Sequence, residues 1–258
     1  MARARFLVAY DGAGFHGFAA NDGVDTVMGA FSGALSTVAR FPVQLVGAGR
    51  TDAGVHAWGQ VISGDLRGEP DLADVSRRLN KLLAPDIAVR AAEWTDDDFH
   101  ARFSAKSRLY RYDVWNAPYP NPLRAARCWH VSQPLELWAL QAACDPLIGE
   151  HDFSSFCRRV KVAEGDDERS NVRRLLDARW SKVDDHLLRF EVSATAFCHQ
   201  MVRSIVGTIV DVGAGRVSAG DMRSILLARD RAAAGTVAPP HGLTLWHVDY
   251  PDPHAFWA

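Results

Sequence analysis

The chain has 258 residues, of which 48% are hydrophobic and 23% charged, the balance of a globular protein that can bury a sizeable core. Its formal net charge of −2 gives no global basic signature, which counts weakly against a polyanionic partner. The sequence contains no apolar run of about 18 residues and no signal-like N-terminus, so we expect a cytoplasmic protein without a membrane segment.

The first hundred residues predict the element order β-α-β-β-α-β. Strands are expected at residues 5–10, 41–46, 57–63 and 87–94. One helix is expected at residues 26–39. A second helix is indicated by a single apolar face, formed by Leu72, Val75, Leu79 and Leu82, and it ends before Pro85.

The rest of the chain repeats this order in pattern, without visible sequence identity. We expect a strand at 107–115, a helix at 135–148, a hairpin of 172–182 with 186–195, helices from Met201 and around 221–229, and a closing strand in "GLTLWHVDY". Two such units predict an α+β protein with two ferredoxin-like halves, each an antiparallel sheet backed by helices. We place the domains at residues 1–104 and 105–258.

The stretch "GAGRTDAGVH", residues 47–56, places an arginine and an aspartate on a turn of small residues between two predicted strands. It lacks the G-K-[ST] of a phosphate loop and the spacing of a dinucleotide-binding motif, which argues against a nucleotide cofactor. One interpretation is a structural turn, in which Asp52 caps backbone amides and Gly54 takes a positive φ. The other is a carboxylate presented for chemistry on a rigid support.

Metal binding and disulfide formation are not expected from the cysteine and histidine pattern. The four cysteines, at positions 128, 144, 157 and 198, include no C-x-x-C pair, so we predict reduced, mostly structural thiols. His151 and Asp152 have no third ligand at a useful spacing, and the lone His56 is interpreted as structural.

Six segments together resemble the TruA family of tRNA pseudouridine synthases, in the order that this family shows. They are "FLVAYDGAGFHGF" (6–18), "GAGRTDAGVHAWGQV" (47–61), "FSAKSRLYRY" (103–112), "GEHDFSSFCR" (149–158), "FCHQMVRSIVG" (197–207) and "PPHGLTLWHVDY" (239–250). The resemblance implies a homodimer that isomerises uridine to pseudouridine at positions 38, 39 and 40 of the tRNA anticodon stem-loop. It also implies one continuous, mostly antiparallel sheet with a central active-site cleft, and catalysis without metal or organic cofactor.

The resemblance also implies the catalytic residues. Asp52 matches the family nucleophile, Arg203 the arginine that pairs with it, and Tyr110 the tyrosine that lies against the target base. A cation offsets the unfavourable burial of an ionised carboxylate, which fits the Asp52 and Arg203 pair. From the residues alone, Arg203 is equally well a surface arginine on a helix, and Tyr110 a core residue; Tyr112 is assigned to the core.

RNA contacts are expected from a second group of residues. Arg50, beside the nucleophile, is expected to help flip the target base, although stabilisation of its own loop is the alternative. Leu245 is expected to pack against the uracil. The candidates for binding the tRNA are Arg158, Arg159, Lys161, Arg173, Arg174 and His199, with Arg5, Lys106, Arg108 and Arg111 as weaker ones.

Two other functions compete with this prediction. The first is an RNA-binding module of the same fold without activity, although the K/R-G-F/Y string of many such modules is absent from the sequence. The second is a small-molecule enzyme that uses a paired carboxylate and arginine, which would need no extended basic surface.

Overall fold

A computed structural model describes residues 1–158 and 170–251 of the chain. The helices and strands form two compact units, which we describe separately. The first unit comprises residues 1–108 together with the last strand, from Thr244 onward, and the second comprises Leu109–Leu243.

The first unit has the predicted β-α-β-β-α-β order and adds the last strand of the chain. Its elements are β1 (Ala2–Tyr10), α1 (Val27–Ala39), β2 (Leu45–Gly47), β3 (His56–Leu66), α2 (Leu72–Leu83), β4 (Ile87–Trp94) and β10 (Leu243–Asp249). β1 lies between β3 and β4 and is antiparallel to both, and β2 pairs antiparallel with β3. The α+β class and the mostly antiparallel pairing are confirmed.

The final strand does not pair within the half of the chain to which its position in the sequence assigns it. The sequence order assigns it to the second half, but β10 pairs in parallel with β3, where Thr244 lies opposite His56 and Leu245 opposite Ala57. This pairing connects residues about 190 positions apart in the sequence, and a strand pattern does not encode its partner. The domain boundary placed between residues 104 and 105 remains a prediction.

Apolar residues at helical spacing bury the two helices of the first unit. Thr26 caps α1, where its side chain accepts a hydrogen bond from the Gly29 amide, and Phe31 and Leu35 are fully buried. In α2 the predicted face is confirmed for Leu72, Val75 and Leu79. Leu82, however, is 54% exposed, and Leu83 is buried instead, because a step of four residues from Leu79 stays on the same face.

The second unit is built around a sheet in the strand order β6-β5-β9-β8-β7. Its elements are β5 (Ser107–Asn116), β6 (Trp129–Val131), α3 (Leu137–Ala142), β7 (Gly149–Asp152), β8 (Val172–Lys182), β9 (Leu187–Ala194), α4 (Met201–Gly213) and α5 (Asp221–Ala228). The predicted β8–β9 hairpin is confirmed; the Asp184 side chain accepts hydrogen bonds from the amides of His186 and Leu187 at its turn.

In the second unit, one predicted helix is shorter than expected, and two short strands were not predicted. The helix expected at 135–148 is reduced to α3, followed by a 3₁₀ turn at Asp145–Leu147, because Pro146 lacks an amide donor and disfavours helical backbone before it. The short strands β6 and β7 were not expected, since three or four residues carry too little alternation to be recognised.

Candidate active site

The turn between β2 and β3 carries Arg50 and Asp52. Arg50 is exposed and the Asp52 side chain is half-buried. Gly54 has φ +76°, and the amide of Val55 donates to the carbonyl of Asp52 at 3.2 Å, so the expected positive φ at Gly54 is confirmed. The chain thus reverses immediately after the aspartate and enters β3.

The segment after β1 packs closely against this turn. The amide of Phe18 donates to the carbonyl of Thr51 at 3.1 Å. Gly12 lies so close that a Cβ atom on it would stand 2.0 Å from the carbonyl oxygen of Val55, and Gly17, with φ +104°, faces Thr51 at 3.2 Å in the same way. Glycine is required at both positions, which fixes the distance between the two segments.

Buried polar side chains lie beneath the turn, and two of them, Tyr10 and Gln60, were not singled out by the sequence. The Tyr10 hydroxyl lies 2.8 Å from Oγ1 of Thr51, and the side-chain amide of Gln60 donates to the carbonyl of Gly49 at 2.9 Å. Arg108 donates to the carbonyl of Ala48 at 3.0 Å. A polar Gln60 within the apolar run of β3 was the available signal in the sequence.

His56, at the start of β3, is 1% exposed. Its Nδ1 lies 3.0 Å from the amide nitrogen of Gly12 and 3.0 Å from a carboxylate oxygen of Asp11. These contacts agree with the structural interpretation of this histidine, because they join the end of β1 to β3 below the turn.

In the second unit, Tyr110 and Tyr112 differ in their surroundings. Tyr110 is 7% exposed and its ring meets that of Phe197 edge-on, with centroids 5.1 Å apart. Tyr112 is fully buried and donates to the carbonyl of Pro239 at 2.8 Å, so its assignment to the core is confirmed. Burial raises the pKa of Tyr112 well above its usual value, with a smaller opposing effect of Arg203.

Arg203 lies in the first turn of α4. Its side chain is half-buried, and Nε donates to the carbonyl of Ala238 at 2.8 Å, while the amide of Ala238 donates to the carbonyl of Arg203 at 3.1 Å. The apolar residues predicted for this helix, including Ile205 and Ile209, are fully buried. The helix core therefore fixes the position from which the guanidinium extends.

The expected tRNA-binding residues of the second unit fall into three groups. Arg158, Arg174 and His199 are exposed, and the amide of Arg158 donates to the carbonyl of His199 at 3.0 Å, which brings these two segments together. Arg173 is half-buried and donates to the carbonyls of Ser170 and Val172, and burial lowers its pKa. Arg159 and Lys161 lie outside the described residues.

Three of the weaker arginine candidates are engaged within the protein. Arg5 is 3% exposed and paired with Glu93. Arg108 is 9% exposed and donates to backbone carbonyls, and Arg111 donates to Glu191 at 2.7 Å. Lys106 is exposed. Leu245 is fully buried in β10, so contact with a base would require its side chain to become accessible.

The prediction of four reduced cysteines is wrong for one pair. Cys157 and Cys198 form a disulfide, with Cα atoms 5.8 Å apart. They are 41 residues apart in sequence, so only the folded chain brings them together. Cys128 and Cys144 are free and buried, and burial raises their pKa values to about 11 and about 12, as expected for structural thiols.

Within residues 1–158 and 170–251, no group of three or more His, Cys, Asp or Glu side chains is arranged to hold a metal ion. In the same part of the chain, no helix combines the length and the hydropathy needed to cross a bilayer.

Comparison with known proteins identifies the family. Residues 6–104 and 143–251 match the family model described as tRNA pseudouridine synthase. A protein of Bacillus licheniformis named tRNA pseudouridine synthase A is 39% identical over 96% of this chain and 99% of its own. Proteins of the same name from Bacillus subtilis and Geobacillus kaustophilus are 38% and 40% identical, covering 96% and 97% of this chain and 99% and 95% of their own.

The matched regions contain the turn with Asp52 and the helix with Arg203, whereas the strand with Tyr110 lies between the two matched regions. Together they define an isomerase of the pseudouridine synthase class. The chain belongs to the tRNA pseudouridine synthase family, and its substrate class is tRNA. Family membership favours an enzyme over both the inactive RNA-binding module and the small-molecule enzyme.

Proposed function

We propose that the chain converts uridine to pseudouridine at positions 38, 39 and 40 of the tRNA anticodon stem-loop, with Asp52 as the carboxylate that starts the reaction. The observation that carries this proposal is the turn itself. It holds a half-buried aspartate between two strands and is anchored through the carbonyl of Thr51 and the packing of Gly12. A carboxylate held in this way loses little entropy on reaching a reactive geometry.

The reaction is an isomerisation and needs no external reactant. The N1–C1′ bond of the nucleoside breaks, a C5–C1′ bond forms, and C5 loses a proton while N1 ends with one. A carboxylate serves this chemistry by covalent attack on C1′, by covalent attack on C6, or by removing the 2′ proton so that a glycal forms. All three routes place the Asp52 carboxylate against the target nucleoside.

Arg203 and Tyr110 complete the proposed catalytic set. A guanidinium opposite Asp52 would keep the carboxylate ionised once bound RNA excludes water. The hydrogen bond from Nε to Ala238 and the buried helix behind Arg203 support this role, since they restrict the side chain. Tyr110, held edge-on by Phe197, is proposed to lie against the uracil ring and to assist removal of the C5 proton.

Binding of the anticodon arm is proposed to use exposed cations. Arg50 is exposed beside Asp52, which suits a side chain that fills the space left by an everted base or holds its phosphate. The proposed phosphate-binding and RNA-contacting residues of the second half are Arg158, Arg159, Lys161, Arg173, Arg174 and His199. Leu245 is proposed to pack against the uracil. A homodimer that shares one tRNA, and a cytoplasmic location beside the tRNA pool, complete the proposal.

Tritium release from tRNA labelled at C5 of uracil tests this assignment. The wild-type enzyme should release tritium, and Asp52→Asn should release none, because the amide is neither a nucleophile nor a base. Binding of tRNA to the variant, measured by filter retention, should stay within about twofold of wild type, since an uncharged isostere removes chemistry and leaves the phosphate contacts.

Asp185→Asn is the matched control. Asp185 lies in the β8–β9 hairpin with its side chain 93% exposed, and we expect full tritium release. Normal release by Asp52→Asn would refute the catalytic assignment, and pseudouridine mapped outside positions 38–40 would refute the site specificity.

A further inference from the structure

Three polar side chains are buried at the turn that carries Asp52, with Thr51 on the turn and Tyr10 and Gln60 beneath it. Tyr10 is 4% exposed, Thr51 is 7% exposed and Gln60 is fully buried. Tyr10 lies at the end of β1 and Gln60 in β3, so two neighbouring strands supply the partners of a residue on the turn. Buried polar groups are costly unless they are hydrogen-bonded, so such a set has a definite geometry.

The contacts around Gln60 fix the direction of its own hydrogen bonds. Its Oε1 accepts from the amide of Val61 at 3.2 Å, and its Nε2 donates to the carbonyl of Gly49 at 2.9 Å. Nε2 also lies 3.5 Å from the hydroxyl oxygen of Tyr10. Because that nitrogen only donates, the Tyr10 oxygen accepts from it, while either hydroxyl can be the donor between Tyr10 and Thr51.

Tyr10 keeps this proton over the working range of the enzyme. Burial raises its pKa to about 12, against the smaller opposing effect of the hydrogen bonds with Thr51 and Gln60. The hydroxyl therefore stays neutral at neutral pH and shares a hydrogen bond with Oγ1 of Thr51, 2.8 Å away. Since all three side chains are uncharged, the set is insensitive to pH changes around neutrality.

The hydrogen bonds among these side chains hold the turn on the N-terminal side of Asp52. Gln60 holds the carbonyl of Gly49, and Tyr10 holds the side chain of Thr51, the residue immediately before the aspartate. The backbone carbonyl of Thr51 is held separately by the amide of Phe18. With the backbone and the side chain of Thr51 both fixed, the Asp52 Cα has little freedom to shift.

We propose that Tyr10, Thr51 and Gln60 are positioning residues for the reaction, and that their hydrogen bonds hold the Asp52 carboxylate at the distance its attack requires. This inference rests on the proposed function of Asp52. The three residues do not touch the RNA; they act through the turn. Their loss should therefore reduce the rate of the chemical step and leave tRNA binding intact.

The test compares two tyrosines of the first unit that are equally buried. Tyr10→Phe removes the hydroxyl that holds Thr51, whereas Tyr250→Phe removes a hydroxyl that donates to the carbonyl of Ala101 at 2.6 Å, a residue outside the turn. In steady-state tritium release, Tyr10→Phe should lower kcat about tenfold or more, with KM for tRNA within about twofold of wild type. Tyr250→Phe should retain wild-type kcat, whatever its effect on thermal stability.

Variants of Thr51 test the same contact from its other end. Thr51→Val, which keeps the shape and loses the hydroxyl, should lower kcat as Tyr10→Phe does, and Thr51→Ser should restore most of it. The double variant Tyr10→Phe/Thr51→Val should be no slower than either single variant, because both remove one interaction. Faster amide hydrogen exchange in residues 48–56 of Tyr10→Phe would report the loosened turn without any activity measurement.

The outcomes separate this inference from the proposed function. If wild type is active and Tyr10→Phe matches Tyr250→Phe in both kcat and hydrogen exchange, the positioning role is wrong while the function of Asp52 stands. Additive losses in the double variant, or a change confined to KM, would also overturn it. A fully active Asp52→Asn enzyme would instead refute the proposed function on which the inference rests.

Discussion

The turn that carries Asp52 and the segment that leads to Arg203 are held in place by different kinds of interaction. In the first unit, the turn rests on uncharged hydrogen bonds from Tyr10 and Gln60 and on a close backbone approach at Gly12. In the second unit, the segment before α4 is tied covalently, through the disulfide between Cys157 and Cys198.

The second unit also differs from the turn in the first unit because it contains a buried charged group that is held by ion pairs. Glu191 of β9 is 8% exposed and accepts hydrogen bonds from Arg111 at 2.7 Å and Arg179 at 2.8 Å. Neutral hydrogen bonds depend on neither redox state nor acid pH, whereas a disulfide depends on redox state and a buried carboxylate on pH in the acid range. The two units should therefore respond differently to reductant, packing changes and acid.

The largest effect should come from breaking the disulfide. Closing a loop with a sequence separation of 41 corresponds to about 4 kcal/mol of stability in the chain-entropy model. In urea unfolding without reductant, Cys198→Ser should lose about that free energy of unfolding, and dithiothreitol should destabilise the wild type but not the variant. Titration of thiols in denaturant should find two before reduction and four after it; four before reduction would contradict the pairing.

The next largest effect should come from Gly12→Ala, which challenges the close approach in the first unit. The added Cβ would stand 2.0 Å from the carbonyl oxygen of Val55, so the turn must move. A displacement of about 1 Å near a nucleophile lowers the rate about a hundredfold, equivalent to about 2.7 kcal/mol, and we expect that loss in kcat. Gly14→Ala is the control, because no atom lies within 4 Å of its added Cβ. Equal rates for the two variants would show that the turn tolerates the shift.

The smallest effect should come from Glu191→Gln, which tests the ion pairs of Glu191 in the second unit. Burial acts to raise the pKa of Glu191, but hydrogen bonds from Arg179 and Arg111 outweigh it and hold the pKa below its usual value of 4.5. Its contribution to stability is therefore complete above pH 4.5 and is lost as the pH falls through the lowered pKa. At pH 7 we expect the variant to lose about 2 kcal/mol of unfolding free energy.

The difference in unfolding free energy between Glu191→Gln and wild type should shrink as the pH is lowered below 4.5. Glu150→Gln, at an exposed position of β7, should stay within about 0.5 kcal/mol of wild type at every pH. A pH-independent loss in Glu191→Gln would show that packing, rather than charge, accounts for it.

Much of the fold follows from local pattern. The strands β1, β3 and β4, the helices α1 and α4, and the β8–β9 hairpin were all predictable, because alternation and helical spacing are written in consecutive residues. The exceptions are short or interrupted elements, such as β6, β7 and the helix cut at Pro146. Elements this short show too little hydrophobic periodicity to be recognised, and a proline can end a helix whose apolar pattern continues.

The sequence by itself determined the family, the α+β class and the residues proposed for chemistry, because motif spacing and hydrophobic periodicity can be read directly along the chain. Only the tertiary structure decided that β10 pairs with β3, that Cys157 meets Cys198, and that Tyr10 and Gln60 lie beneath the turn. Each of these depends on residues far apart in the chain coming within a few ångströms. Such contacts are selected by the packing of the whole core, which no local pattern encodes.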